Sequence, residues 1–176
     1  MKRSACLFAA LLAILVSPGV RAAESAPLSE QAIASIRSGC PDALQSMLRI
    51  EKVEAATRVN RGREYEALLE LVAAFNGRVV QNRLDAPVLT GTAAKLQTEF
   101  TDFSRHYINY ADKLDAALDI NCKEAPVTFY DALNAAREAR GLVAADINTM
   151  DELLGDYQRG LDGLKAQLKD LEATTP

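Results

Sequence analysis

The 176-residue sequence has no tryptophan, one histidine, three cysteines, nine glycines and six prolines. So little proline and glycine excludes a collagen-like or proline-rich chain, and 49% hydrophobic residues exclude a largely disordered one. One histidine and three cysteines are a short ligand inventory for zinc, and no Cys-X-X-Cys-His is there to hold haem covalently. A glycine-rich phosphate loop and a Gly-X-Ser-X-Gly elbow are also missing, so nothing marks a nucleotide hydrolase or an α/β-hydrolase. The residues that abound are Ala, Leu, Glu, Asp and Arg, which together point to helix.

The length suits one domain, or one domain plus a removable segment. Lys2 and Arg3 are followed by an uncharged run from Ala5 to Val16, then by Pro18-Gly19 and Val20-Arg21-Ala22. This is the pattern of a secretory signal peptide over residues 1–22, cleaved after Ala22. The apolar run is too short for a membrane span, which needs ~20 residues. Cleavage would remove Lys2, Arg3 and Arg21 and no acid. Of 20 basic and 24 acidic residues, 17 and 24 would remain, and the formal charge would move from −4 to −7. Nucleic acid and anionic lipid are therefore poor partners for such a chain.

Residues 23–40 read as a flexible or short-helical leader, because Ser38-Gly39-Cys40-Pro41 looks like a stop followed by a start. Three helices follow, near 41–84, 88–121 and 126–172, with a polar tail at 173–176. In the first, Leu44, Leu48, Ala55, Val59, Leu69, Val72 and Val79 can share a face. In the second, Leu89, Ala93, Leu96, Phe100, Phe103, Tyr107, Tyr110, Leu114 and Ala117 recur at alternating spacings of four and three. The third repeats that rhythm from Phe129 to Leu171, with Arg140 as its single charged member. Such seams predict an all-α fold, an elongated, coiled-coil-like antiparallel three-helix bundle running up, down, up.

That topology brings Cys40, before helix one, to the same end as Cys122, after helix two. With Cys6 removed, the two form an even pair in an exported chain, and a structural disulfide is expected. A redox role would need an exposed thiol of low pKa or a close pair, and neither is suggested.

His106 lies beside the second seam and reads as a boundary residue, not as a ligand. No nucleophile–base pair stands out, and neither a catalytic residue nor a cofactor is expected. Arg140 is the departure from pattern. Matching depths along the rod places it with Tyr107 and with a polar residue of helix one near Asn60, as a polar core layer that would fix register. The plainer reading has Arg140 snorkelling to water along its stem. A ligand site there is a third.

The run Phe103, Tyr107, Tyr110, Leu114, Asn121-Cys122-Lys123-Glu124-Ala125-Pro126-Val127-Thr128-Phe129 and Ala135-Ala136-Arg137-Glu138-Ala139-Arg140 resembles a loose group of uncharacterised secreted three-helix proteins common in small-genome candidate-phylum bacteria. The resemblance covers roughly residues 40–165 and implies export and the fold, but no mechanism. The expected function is a non-catalytic, extracytoplasmic helical bundle, periplasmic, cell-surface or extracellular. It would act by contact with another protein or an envelope component, in an adhesin-like or structural role. A periplasmic chaperone-like client-binding protein and a secretion-system or pilus-tip component are the alternatives, and a ligand-binding sensor or carrier is a further one.

Overall fold

The computed structural model describes residues 28–174. The signal-peptide reading lies outside these residues. Three helices make up the fold: α1 Glu30–Gln81, α2 Pro87–Leu118 and α3 Pro126–Thr174, of 52, 32 and 49 residues. At ~1.5 Å per residue α1 and α3 each run over 70 Å, longer than the sequence suggests. The Cys40–Cys122 disulfide, with Cα atoms 5.7 Å apart, ties α1 to the α2–α3 turn. At the other end Leu89 of α2 packs with Leu164 of α3 and with Val72 and Val79 of α1. The helices therefore run up, down, up.

The sequence places the start of the first helix at Pro41, but α1 begins eleven residues earlier and continues through that proline. Ser29 caps it, its Oγ accepting from the Ala32 N–H at 3.2 Å, and Glu30 sits at the positive end of the helix dipole. Pro41 has no N–H to offer the preceding turn. The cost is met by two tertiary anchors in the turn just before it. Arg37 Nε donates to the Lys123 carbonyl at 3.2 Å, and Cys40 is bridged to Cys122.

The turns are specific. Arg83 lies in the left-handed region at φ 54°, and the bonds Arg83 N–H to Val80 O and Leu84 N–H to Val79 O close a Schellman motif with Leu84 against Val79. Asn121 shapes the second turn. Its Oδ1 accepts from the Lys123 N–H at 3.1 Å, and its carbonyl accepts from Glu124 and Ala125. Pro87 and Pro126 occupy first helical positions, where a missing N–H is harmless.

The α2 seam faces inward as the spacing predicts, with Leu89 and Ala117 fully buried, Leu96, Phe103, Tyr107, Tyr110 and Leu114 nearly so, and Ala93 and Phe100 half-buried. Along the α3 seam Phe129, Ala136, Val143, Met150, Tyr157 and Leu164 are buried and Leu133, Ile147, Leu154 and Leu161 half-buried, whereas Arg140 and, past the end of the core, Leu168 and Leu171 are exposed. Gly160 lets the two helices come close, since a Cβ there would stand 2.8 Å from Leu89 Cδ2.

The face assigned to the first helix is half wrong. Leu48 and Val59 are each 47% exposed and Ala55 is exposed, while Cys40, Met47, Val72 and Val79 are the buried residues of α1. The inner face of α1 instead runs through Ile36, Cys40, Met47, Glu54, Tyr65, Leu68, Val72, Phe75 and Val79. Its middle is polar. A polar stretch cannot draw α1 down onto its neighbours as the apolar seams of α2 and α3 draw those two together. Clefts consequently line the α1–α3 boundary.

Candidate functional site

The floor of the site is aromatic. Tyr65 of α1 and Phe100, Phe103, Tyr107 and Tyr110 of α2 form a continuous ladder of rings with successive centroids 5.6–6.3 Å apart. The 4, 3 spacing of α2 aligns its four rings on one face.

A polar layer crosses this floor. The Tyr107 hydroxyl donates to the Glu54 carbonyl at 2.5 Å and lies 3.4 Å from Glu54 Oε2. Arg140 Nη2 donates to Glu54 Oε1 at 3.1 Å. The structure thus joins Arg140 to Tyr107 through one α1 residue, and that residue is Glu54. Asn60 is exposed and stands outside the layer. The Arg140 side chain remains 61% exposed, so it leans out along its stem and still reaches its partner. Burial, then the neighbouring Glu54 carboxylate, pushes the Tyr107 phenol up to about 12. Burial and Glu54 also raise Tyr110, against the pull of Arg140.

Over this layer opens a cleft of about 490 Å³ between α1 and α3. Arg58 and Arg61 line it from α1, and Arg137 and Arg140 from α3, with Phe103, Tyr107 and Tyr110 beneath. Arg58 Cζ lies 5.9 Å from the centre of the Tyr107 ring, within cation–π range. Arg137 Nη1 donates to Asn134 Oδ1 at 3.1 Å on its own helix. Glu54 is the only carboxylate lining the cleft, among the described residues. The charge of the cleft is thus opposite to that of the chain.

Two further clefts continue the same boundary. Toward the disulfide, Met47, Ile50, Leu114 and Leu133 line a space of about 240 Å³. Toward the far end, Leu68, Leu71, Val72, Phe75, Tyr157 and Leu161 line one of about 510 Å³, in which Leu71 is 69% exposed. A second polar layer closes that end of the core. The Tyr157 hydroxyl donates to Asn76 Oδ1 at 3.0 Å, and Asn76 Nδ2 donates to the Leu89 carbonyl at 3.3 Å. Burial raises the Tyr157 phenol too.

His106 is half-buried, and its Nδ1 lies 2.7 Å from Oδ2 of Asp146, a residue only 6% exposed. Glu99 is nearby. Desolvation, then the charges of Asp146 and Asp102, raise its carboxyl above the usual range. No group of three or more His, Cys, Asp and Glu among the described residues is placed to hold a metal ion.

Sequence reasoning missed Glu54, Asp146 and Asn76. A signal existed for Asp146, which falls at 4, 3 spacing in the row Ala139, Val143, Asp146, Met150 beside the one chosen. For Glu54 the signal was weaker, because the face of α1 has to be known before one of its several acids can be singled out. No protein family, curated protein or solved structure matches the chain.

Proposed function

We infer that the chain is an exported, non-catalytic helical-bundle protein that works by protein–protein contact, as an envelope-associated or adhesin-like component. The observation that carries this reading is the open boundary between α1 and α3, with apolar clefts at both ends and Leu71 standing in solvent. Exposed apolar surface gathered in a groove favours a binding partner over a purely solvated rod. Export is supported by Lys2-Arg3, the uncharged run to Val16 and Val20-Arg21-Ala22. Disulfides persist in oxidising compartments, and Cys40–Cys122 agrees with that address. Among the described residues no helix is long and apolar enough to cross a membrane.

Fusion of residues 1–22 to alkaline phosphatase, which folds only in an oxidising compartment, tests export. Phosphatase activity is expected, and an inactive fusion retained in the cytoplasm ends that part of the reading. A photo-crosslinking side chain at Leu71 tests contact, with Ile108 on the exposed side of α2 as the control position. Adducts from Leu71 and not from Ile108 are expected. Equal adducts from both positions, or none, would show that the groove is not a contact surface.

A second reading, a chaperone of unfolded clients, draws on the same far cleft, which is lined mainly by apolar and aromatic side chains. It requires that substoichiometric protein suppress the aggregation of a reduced client, and that Leu71→Asp abolish the effect.

A further inference from the structure

We propose that the cleft between the middle of α1 and α3 is an anion site, taking a small molecule that bears two or more carboxylate or phosphate groups. The site stands whether or not the groove receives a protein partner.

Four guanidiniums face one carboxylate there. Arg140 is paired with Glu54, but Arg58, Arg61 and Arg137 have no carboxylate within 4.0 Å among the described residues. Among the described residues Arg37, Arg49, Arg63, Arg78 and Arg83, outside the cleft, also have no carboxylate within 4.0 Å, so the cleft stands out by the convergence of its arginines and not by their lack of acids. Arg105 pairs with Asp102 and Arg159 with Asp156, each with an acid three residues before it on the same helix. In the cleft the same spacing carries arginine twice over, Arg58 with Arg61 and Arg137 with Arg140. Like charges one turn apart repel. Two such repulsive pairs, from different helices, converge on one space.

An anion relieves both repulsions at once. The guanidinium fork matches a carboxylate or phosphate with two parallel N–H donors, which a point charge does not. Arg58 is already held over the Tyr107 ring, so part of its ordering cost is met before a ligand arrives. A volume of about 490 Å³ lies in the range of small-molecule sites. The Phe103, Tyr107 and Tyr110 rings beneath offer a flat or apolar body a surface to cover, while the arginines above hold its charged groups.

Calorimetric titration of the disulfide-bonded protein at low ionic strength, with citrate and pyrophosphate as separate probes, tests the site. Saturable one-to-one binding of at least one probe is expected, and the stronger probe identifies carboxylate or phosphate as the preferred group. Arg58→Gln and Arg137→Gln should each weaken binding about tenfold, the usual worth of a charge-assisted hydrogen bond. Arg159→Gln, at the far end of the rod, should leave it unchanged. Glu54→Gln should tighten binding several-fold by removing the one negative charge in the cleft, an effect that a merely structural role would not produce. If a glutamine variant loses helix by circular dichroism, Arg58→Lys and Arg137→Lys replace it, since lysine keeps the charge and loses the fork. No saturable binding of either probe overturns the proposal. So does binding that is indifferent to both cleft arginines, or weakened as much by Arg159→Gln.

Discussion

Arg140 reaches Glu54 across 3.1 Å from a side chain that is mostly in water, so a charge written into the apolar rhythm of α3 never enters the core. Its Cα occupies a seam position, but α1 stands off far enough for the stem to leave through the cleft. Arg140→Leu should therefore change stability by no more than about 1 kcal/mol, the range of exposed ion pairs. Urea denaturation at neutral pH checks this. A loss of several kcal/mol would mean that the guanidinium holds α1 in place.

Gly160 and Gly163 lie one turn apart on α3 and should respond with opposite signs. A methyl at Gly160 would meet Leu89, which is fully buried and cannot withdraw, whereas at Gly163 it would meet nothing. Gly160→Ala should cost ~1–3 kcal/mol, the usual range for overpacking. Gly163→Ala should gain ~0.5–1 kcal/mol from helix propensity alone. Thermal melts of the two variants decide, and a stabilising Gly160→Ala would disprove the close approach.

The Cys40–Cys122 bridge closes a loop of 82 residues in sequence separation. Loop-closure entropy sets an upper figure of ~4–5 kcal/mol for what is lost in the double Cys→Ser variant. Thiol titration of the unreduced protein should find no free cysteine at these two positions. A melting temperature insensitive to reductant would show that the bridge contributes nothing.

The Tyr107 phenol is pushed up to about 12 from an ordinary value of 10.0. A group whose pKa is raised on folding stabilises the fold fully below the unfolded value, and loses that contribution as pH rises through the folded one. Stability should thus fall between about pH 10 and 12, as the unfolded chain ionises Tyr107 before the folded one does. Tyr107→Phe should cost about 1 kcal/mol at pH 7, for its hydrogen bond to Glu54, and that cost should shrink at pH 11. Denaturant titrations at the two pH values measure the difference, and an equal cost at both would contradict the burial of the hydroxyl.

How legible each helix was follows from how it is stabilised. The seams of α2 and α3 are apolar almost throughout, and hydrophobic spacing alone picks out Leu89 to Ala117 and Phe129 to Leu164. The Cys40–Cys122 pairing followed from topology, because short turns leave few ways to arrange three long helices. In α1 the spacing misled. Leu48, Ala55 and Val59 make a plausible stripe, yet the inner face carries Glu54, and its apolar members, Met47, Tyr65, Val72 and Val79, lie on either side of that polar centre. The early start of α1 is not legible locally, because Pro41 alone signals a helix start, whereas the bonds from Arg37 and Cys40 to the distant α2–α3 turn decide the matter. The candidate site was half visible. Arg140 and Tyr107 stood out as exceptions within regular seams, but an acid on α1 could not be told from the others until the face of that helix was known.

The staple sits at one end of α1, and its polar stretch lies in the middle. The two features divide labour between tether and latch. The middle of α1 adds few apolar contacts of its own, so its amides should exchange with solvent through local opening, well before those of the α2–α3 hairpin. A lifted α1 cannot diffuse off, because the bridge holds its start beside the turn. Reclosure is intramolecular, at an effective concentration set by the length of the freed segment and not by the amount of protein in solution. The hinge of that motion is the bridge itself, and the surface it uncovers is the ring ladder from Phe100 to Tyr110.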